Sequence, residues 1–323
     1  MSVGRVINVF LLLLGLGVLT YFILTLDLVE LTGQIEQLSL FSIVVVVGIT
    51  FITVFIKAFR WKYLILKTSK KSISTRFSFF SILTGIAAGS LTPTRAGEVA
   101  KPFLLKNRYG IPISETVSCV FSERAFDLLS LILLFFVGFV LLPMDVATYQ
   151  LAVLAFFVLF LGMVLFLFVF PKRFERLGVF FLTRFAPSKW KEKLLVINHN
   201  VFEGFELLKQ KDVLGVMIAT SLLSMLLEVV RVFFILSWLG ISLNFFVVMF
   251  AFTGSIVFGL MTFIPGGIGT TEISQAAIIS TLVPTFGEMG SLKGAILLDR
   301  FFSYYLLIGI GGLVLLFYKR WKL

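Results

Sequence analysis

Seven uninterrupted apolar runs determine what this chain can fold into. Each run reaches about 20 residues, the length that an α-helix needs to cross the roughly 30 Å hydrocarbon core of a bilayer. Hydrophobic residues make up 59% of the 323 residues, well above the roughly 45–50% of a typical soluble domain. The runs therefore predict an all-α, polytopic integral membrane protein. They cover residues 6–26, 39–59, 113–142, 150–170, 213–238, 244–264 and 292–318.

Two shorter apolar segments, 77–92 and 271–284, are interrupted by Gly, Ser, Thr and Pro. Segments of this kind are typical of broken or re-entrant helices. Seven crossings would leave the termini on opposite sides, so an eighth is needed if both termini face the same side. We expect the later segment to supply it, giving about eight transmembrane helices in one domain over residues 1–323.

The charges between the apolar runs predict the orientation. Residues 27–38 carry three acids and no base, whereas residues 60–76 carry six bases and no acid. Residues 172–193 and the C-terminal tail are also basic. By the positive-inside rule the basic segments are cytoplasmic. We therefore expect a multi-pass protein of the cell membrane with both termini in the cytoplasm. Its net charge of +11 then reflects topology and anionic lipid, with no nucleic-acid partner.

The segment 171–212 is the one sizeable stretch that we expect outside the membrane. Apolar residues at spacings of three and four predict an amphipathic helix on the inner leaflet; a regulatory role is the alternative. The segment is too short for a soluble catalytic domain. The apolar positions are Leu194, Ile197, Val201, Phe205 and Leu208.

The chain has few of the residues that enzymes use. Cys119 is the only cysteine and His199 the only histidine, which excludes an intramolecular disulfide and a cysteine metal cluster. No ATP-binding loop of the type GxxxxGK[ST] is present. We predict a protein that is not an enzyme, with no catalytic residue, no metal site and no cofactor.

Two polar motifs interrupt the apolar chain: SLTPTRAGEVAKPFLL at residues 90–105 and FIPGGIGTTEIS at residues 263–274. In each, a proline precedes a glycine by four positions and a glutamate follows. An acid–arginine pair lies further along, inside a long apolar helix. The residues concerned are Arg95, Gly97, Glu98, Lys101, Glu123 and Arg124 in the first unit, and Gly266, Gly267, Gly269, Glu272, Asp299 and Arg300 in the second.

The shared order of features predicts a degenerate internal repeat, with units at about 77–142 and 244–318. Charge topology directs the helices after the two motifs in opposite directions. We therefore expect inverted-topology halves, the architecture of many transporters. Chance similarity between two Pro/Gly breaks is the alternative.

Charged residues inside the apolar helices predict an internal cavity. Arg124 and Arg300 would lie deep in the hydrocarbon, where each costs about 2.5–3.5 kcal/mol on insertion scales. Glu228 and Arg231 add a pair in another span, and Asp127 follows Arg124 by one helical turn. These residues must face the bundle interior or a wet cavity, unless they serve as helix-locking ion pairs alone.

The broken helices indicate an anionic ligand. Proline at a helix start costs no hydrogen bond, and glycine lets a ligand approach the backbone closely. The free N–H groups of a half-helix attract an anion, and Arg95 adds a planar fork that suits phosphate. We expect an anionic lipid head group, with Glu98 and Glu272 either balancing the empty site or carrying a proton.

The motifs LTPTRAGEVAK, SERAFDLL and IPGGIGTTE resemble those of the lysylphosphatidylglycerol synthase transmembrane-region family, also called flippase-like domain proteins. The resemblance extends from about residue 5 to 318. It implies a lipid-handling site at the broken helices. The residues that match the family's motifs are Arg95, Gly97, Glu98, Glu123, Arg124, Gly266, Gly267, Gly269, Glu272 and Arg300.

Three departures from the family's pattern bear on the substrate. In the family's better-known members this region is associated with flipping an aminoacylated phospholipid made by a fused C-terminal synthase. This chain ends at Leu323, so we expect no synthase here, which argues against that substrate. Lys101 stands where many members carry arginine, and Thr271 stands where a basic residue often precedes the glutamate.

These features favour a transport protein that moves an anionic or polyprenyl-phosphate-linked lipid between leaflets. Its partners would be that lipid, the bilayer and an enzyme that supplies the lipid. A membrane transferase acting on a lipid-linked substrate is the first alternative, and it should show acidic or His-rich metal-binding motifs near a membrane face. A scaffold for a lipid-modifying enzyme is the second.

Overall fold

The structure is a computed structural model that describes residues 3–25, 38–143, 171–185, 210–286 and 290–321, with a few isolated residues between these ranges. All regular elements in these ranges are helical, which confirms the all-α prediction. The predicted span at 150–170 and the apolar positions at 194–208 lie outside the described residues, apart from isolated positions. An amphipathic helix does begin the 171–212 segment. The helices before position 200 are α1 (Val3–Leu24), α2 (Leu40–Ser69), α3 (Thr75–Ser90), α4 (Ala100–Tyr109), α5 (Ile113–Val140) and α6 (Pro171–Phe185).

Three helices of the described chain are long and apolar enough to cross a membrane unaided: Leu40–Ser69, Lys211–Trp238 and the continuous stretch Gly290–Phe317. Helix α2 is longer than its predicted apolar span of 39–59. It begins at the cap of Ser39, whose Oγ accepts a hydrogen bond from the Ser42 N–H at 3.1 Å. It continues beyond Arg60, so the assignment of that arginine to a basic loop was wrong.

The first interrupted segment forms a re-entrant hairpin of α3 and α4, joined by a 3₁₀ segment at Pro93–Val99. Helix α3 ends at Ser90, before Pro93. Proline has no N–H to donate within a helix, and its ring clashes with the preceding turn. Helix α4 returns to the start of α3, where the rings of Phe77 and Tyr109 lie 5.0 Å apart. Gly97 allows the arms to meet, since a Cβ there would overlap the carbonyl oxygen of Ala88. Residues 91–97 form the first tip.

The second interrupted segment forms a similar hairpin. Its turn at residues 262–269, the second tip, contains Phe263, Gly266, Gly267 and Gly269 with positive φ angles, which glycine adopts without steric cost. The later helices are α7 (Lys211–Trp238), α8 (Phe245–Met261), α9 (Thr270–Leu282), α10 (Gly290–Arg300) and α11 (Leu306–Trp321). A 3₁₀ turn at Pro265–Gly267 lies in the second tip, and a π turn at Phe301–Tyr305 joins α10 to α11.

The two tips contact each other inside the bundle. A Cβ on Gly266 would lie 3.4 Å from the carbonyl oxygen of Ser90, at the end of α3. We expected residues 271–284 to cross the membrane. They instead form α9, which is the returning arm of a hairpin. The turn between α8 and α9 ends against the first tip.

The hairpins enter from opposite ends of the bundle. At the basic end (residues 63–74, 106–113 and 211–213), α2 finishes and α7 begins, and Tyr63 donates a hydrogen bond to Asp212 at 3.0 Å. At the far end (residues 139–143, 238–247 and 282–293), Phe139 at the end of α5 packs with Val247 at the start of α8. Helix α5 thus runs towards the far end, whereas α10 and α11 run back to the basic end.

The described chain therefore contains two units of opposite direction, α2–α5 and α7–α11. Helices α2 and α7, which precede the motif units expected at 77–142 and 244–318, pack with them. The hairpin of each unit packs on a helix of the other unit, an exchanged packing in which α3 lies on α11 and α8 lies on α5. Both contacts use a glycine, since a Cβ on Gly311 would overlap the Leu83 carbonyl and one on Gly138 would lie 2.8 Å from the Phe250 nitrogen.

Two hydrophobic clusters hold the units together. The cluster at the basic end includes the fully buried Trp61, Leu105 and Met217. The cluster at the far end includes Val229 and Ile279, which are equally buried. Polar residues of the helices are concentrated in the layer between the clusters, where the tips meet.

Candidate functional site

A cavity of about 660 Å³ lies where the two tips meet. Its wall is built mainly by α2, α5, α7 and α8, with contributions from the other helices of both hairpins, both tips, the end of α10, the π turn and the start of α11. Much of the lining is apolar, including Leu131, Met225 and Phe252. The predicted site residues that line it are Arg95, Glu98, Lys101, Glu123, Arg124, Asp127, Glu228, Arg231, Gly266, Gly267 and Arg300.

Four predicted site residues do not line the cavity. Gly97 packs against α3, and Gly269 packs against α1, where a Cβ would lie 2.7 Å from the Leu19 nitrogen. These two glycines thus admit the protein's own backbone, so the expectation that they admit a ligand was wrong. Glu272 and Asp299 are completely buried behind the cavity wall and bind its arginines.

A dense ion-pair network occupies the first unit. Arg60 holds Asp127 through both nitrogens of its fork, at 2.6 and 3.2 Å, and lies 3.3 Å from Glu123. Lys101 contacts Glu123 at 2.6 Å and Glu98 at 3.5 Å. Arg60, Lys101 and Glu123 are at most 1% exposed. A single missing partner here would leave a buried charge unpaired, which is strongly destabilising.

Arg124 belongs to the same network but faces the cavity. Its side chain is 31% exposed, and it contacts Glu98 at 3.2 Å and Asp127 at 3.1 Å. The Asp127 contact is the three-residue pair that the sequence indicated. Its link to Glu98 joins the first hairpin to α5, so the position of the first tip depends on this arginine.

The second unit has fewer ion pairs. Arg231 lies 2.8 Å from Asp299, and Arg300 lies 2.9 Å from Glu272. The Glu272 oxygen that Arg300 contacts also accepts a hydrogen bond from Tyr305 at 3.2 Å. The local Glu228–Arg231 pair proposed as the structural alternative does not form, because Glu228 binds Lys57 of α2 instead.

Two kinds of ion pair recur in both units. Arg60–Asp127 joins α2 to α5, and Arg231–Asp299 joins α7 to α10. The paired residues lie 67 and 68 positions apart in sequence. Glu98–Arg124 joins the first hairpin to α5, and Glu272–Arg300 joins the second hairpin to α10. The match of Arg124 with Arg300 agrees with the predicted repeat. In this arrangement Asp127, rather than Glu123, corresponds to Asp299.

Arg95 is the exception among the basic residues of the cavity. It lies in the first tip, half-buried, with a φ angle of 59°, a left-handed conformation that costs a residue other than glycine on the order of 1–2 kcal/mol. Within the described chain its side chain has no ion pair and no hydrogen bond. Backbone strain of this kind clusters at ligand-binding sites.

The formal charges of the site sum to +1, because it has seven basic and six acidic residues. The basic residues of the lining are Lys57, Arg60, Arg95, Lys101, Arg124, Arg231 and Arg300. The acids that line it or bind those bases are Glu98, Glu123, Asp127, Glu228, Glu272 and Asp299. Each base except Arg95 has an acid at 3.1 Å or closer. The excess charge is thus that of Arg95.

A tyrosine hydroxyl completes the polar lining near Arg95. Tyr304 is 3% exposed and lines the cavity, and its hydroxyl lies close to Ser90 at the end of α3. The positive charge of Arg95 acts on this hydroxyl, and a Cβ on Gly266 would overlap it. The π turn places Tyr304 here, and such turns occur frequently at functional sites.

Sequence reasoning missed Lys57, Arg60 and Tyr304. Lys57 and Arg60 were taken as a span residue and a loop charge. Comparison of the units could have found them, because Arg60 precedes Pro93 by 33 residues and Arg231 precedes Pro265 by 34. No sequence signal marked Tyr304, since its position depends on the π turn. Among the residues that the structure describes, no group of three His, Cys, Asp or Glu side chains is placed to hold a metal.

Similarity to known proteins agrees with this architecture. A family model described as "Lysylphosphatidylglycerol synthase TM region" matches residues 8–311. The chain belongs to this family. The match covers the hairpins and ion pairs of both units, and it confirms the resemblance of the three motifs. The lysylphosphatidylglycerol synthase TM-region fold, together with the apolar helices, makes this a multi-pass membrane protein.

Two similar proteins are named UPF0104 membrane proteins. A UPF0104 membrane protein of Methanothermobacter thermautotrophicus is 28% identical over 275 residues, which cover 80% of this chain and 78% of that protein. A UPF0104 membrane protein of Pyrococcus horikoshii is 27% identical over 290 residues, which cover 82% of this chain and 83% of that protein. No solved structure matches the chain.

Proposed function

We propose that this protein is a transporter, not an enzyme, and that it moves a lipid with an anionic head group between the leaflets of a bilayer. The observation that carries the proposal is Arg95, a basic residue of the cavity that forms no ion pair within the described chain, since the nearby acids Glu98 and Glu228 pair with other bases. An anion that enters the cavity can bind this guanidinium without breaking an ion pair. Arginine binds phosphate through two parallel hydrogen bonds, and the Tyr304 hydroxyl can donate a third.

The surroundings of Arg95 suit a lipid better than a soluble anion. Leu91 of the first tip, Met261 beside the second tip and Phe263 within it are 57%, 71% and 58% exposed. Met261 and Phe263 also line the cavity. A lipid can therefore place its head group at Arg95 while its chains lie along these apolar side chains.

The inverted units supply a route for movement. Transporters with inverted repeats alternate between two states in which one half rocks against the other around a fixed site. Here the site lies between the tips of hairpins that enter from opposite ends. Movement of one hairpin and then of the other would open the cavity first to one leaflet and then to the other.

Reconstituted protein provides the test. Phosphatidylcholine vesicles would contain a trace of phosphatidylglycerol with a fluorescent head-group-proximal acyl label, and a membrane-impermeant reductant would bleach the outer leaflet. We expect the protein to speed loss of the inner-leaflet signal. Arg95→Ala should weaken head-group binding by roughly tenfold to a hundredfold, the value of a charge-assisted contact. Arg95→Lys should recover part of it, since an ammonium lacks the fork.

Arg108→Ala is the matched control, because Arg108 is an exposed arginine of α4 outside the cavity. It removes the same charge from the protein and should leave transport unchanged. Equal rates for wild type, Arg95→Ala and protein-free vesicles, with phosphatidylglycerol and with a polyprenyl phosphate, would contradict transport. That result would favour the transferase or scaffold alternatives.

A further inference from the structure

The two hairpins differ at one equivalent position. Lys101 follows Glu98 by three residues in the first hairpin, and Gln275 follows Glu272 by three residues in the second. The ammonium of Lys101 contacts Glu123 and Glu98. Gln275 is 1% exposed, and its amide nitrogen has no partner in the described structure. The first unit thus contains a resident positive charge at a place where the second has none.

The carboxylates of the two units differ accordingly. In the first unit Glu98, Glu123 and Asp127 each lie within 3.5 Å of two basic side chains. In the second unit Glu272 and Asp299 each have one basic partner within the described chain. Oε2 of Glu272 and Oδ2 of Asp299 are buried and have no hydrogen-bond partner among the residues that the structure describes. Oε1 of Glu98 is also unpartnered, but two bases neutralise that carboxylate.

We infer that Glu272 is a proton-binding site that couples lipid movement to proton movement, an inference that rests on the proposed function. A proton would bind Oε2, the oxygen that lacks a partner. The carboxyl group then becomes neutral, and the ion pair between Glu272 and Arg300 is lost. Arg300 lines the cavity, so its guanidinium becomes a second cation for the anionic head group. Loss of the proton restores the ion pair and releases the anion.

The groups around Glu272 are consistent with a single exchangeable proton. From α10 it faces Arg300, and from the π turn it faces Tyr305, which donates to it, and Tyr304. The Asp299–Arg231 pair lies next to Arg300. Helix α8 contributes no ionisable side chain. Of the ionisable residues of α1, Tyr21 is 66% exposed and Arg5 stands near the other end of the helix.

The chemistry has a definite charge balance. One proton and one monoanionic head group enter the site together, so the pair crosses the bilayer without net charge. A pH gradient can therefore drive the lipid towards one leaflet, whereas a membrane potential cannot. Neither hydrolysis nor a redox step is required.

The test uses the full chain in phosphatidylcholine vesicles with labelled phosphatidylglycerol and a trapped pH-sensitive dye. We expect the wild-type rate to rise as pH falls from 8 to 6, by up to about tenfold per unit, the limit for one proton that makes a site competent. Inward lipid movement should acidify the lumen. Glu272→Gln mimics the protonated state and should move lipid at a rate independent of pH, without acidification.

Two further variants separate this role from a structural one. Glu115→Gln makes the same substitution at an exposed glutamate in the first turn of α5, outside the cavity, and it should retain the pH dependence. Gln275→Lys gives the second hairpin the resident charge of the first, and it should abolish the pH dependence even if Glu272→Gln does not fold. Lipid movement by wild type at one rate from pH 6 to 8, or a pH dependence that survives Glu272→Gln or Gln275→Lys, overturns the inference and leaves transport standing. Absence of lipid movement by wild type at any pH overturns both.

Discussion

The Nζ atom of Lys57 lies 2.7 Å from Oε1 of Glu228, and the two residues hold equivalent positions in the inverted units. Each stands three residues before the buried arginine of its helix, Arg60 in α2 and Arg231 in α7. Their side chains are 15% and 17% exposed and line the cavity. The two units thus meet through an ion pair that the head group of a bound lipid can reach.

Removal of one partner of this pair should change the charge preference of the site. Glu228→Gln leaves Lys57 without an acid, so the formal charge of the cavity rises by one. Head groups with two negative charges should gain roughly tenfold to a hundredfold over those with one. Competition between phosphatidic acid and phosphatidylglycerol at pH 8 in the vesicle assay measures this. The double variant Lys57→Gln/Glu228→Gln should restore the wild-type ratio, and an unchanged ratio in Glu228→Gln would contradict the charge count.

The buried pair Arg231–Asp299 should show strong coupling in stability. Arg231→Met leaves a completely buried carboxylate without its base, which costs about 3–5 kcal/mol. Arg231→Met/Asp299→Leu removes both charges and should recover most of that loss, since apolar replacement of a buried pair is often neutral. The unfolding midpoint would be measured in detergent for wild type, both single variants and the double variant. The differences give the coupling free energy between Arg231 and Asp299. Additive losses would mean that the two residues do not stabilise each other.

The first hairpin should not tolerate a side chain at Gly97. In Gly97→Ala the added methyl overlaps the Ala88 carbonyl, so the arms of the hairpin must separate. We expect a low yield of monodisperse protein and a lowered unfolding midpoint. Gly48→Ala is the control, because a Cβ at Gly48 in α2 has no neighbour within 4 Å and alanine is favoured over glycine in a helix by roughly 1 kcal/mol. Similar behaviour of both variants would show that the arms do not pack this closely.

The basic end of the bundle should face the cytoplasm. In a Cys119→Ser background, single cysteines at Lys71 and Ser242 report on the basic and far ends, and both positions are exposed. We expect an impermeant thiol reagent to label position 242 in intact cells and position 71 after permeabilisation alone. Labelling of position 71 in intact cells would reverse the orientation.

Local signals explain what the sequence could predict. Proline and glycine break helices wherever they stand, so both breaks were located from the motifs around Pro93 and Pro265, although the second segment was expected to cross. Charges inside apolar helices must turn inward, so most of the charged residues of the cavity could be named. The partners of these charges were harder to find, because Glu228 binds Lys57 of α2, 171 residues away in sequence.

Other features depend on contacts that have no local signal. A glycine shows that something approaches closely without showing what, which is why Gly97 and Gly269 were assigned to a ligand. Arg60 was counted as a loop charge because a basic residue at the end of an apolar run normally marks the membrane boundary. Its buried partners lie on α5, and the length of α2 beyond the apolar run was not evident from hydropathy.

The exchanged packing of the hairpins sets an order for biosynthesis. Helix α3 finds its neighbour in α11, which leaves the ribosome after all the other helices of the two units. Until that helix is inserted, the first hairpin and its charged side chains lack one wall. The nascent chain must therefore hold its amino-terminal half in an incomplete state in the membrane, and a protein truncated before α11 would be a substrate for quality-control proteases even though both signature motifs had been made.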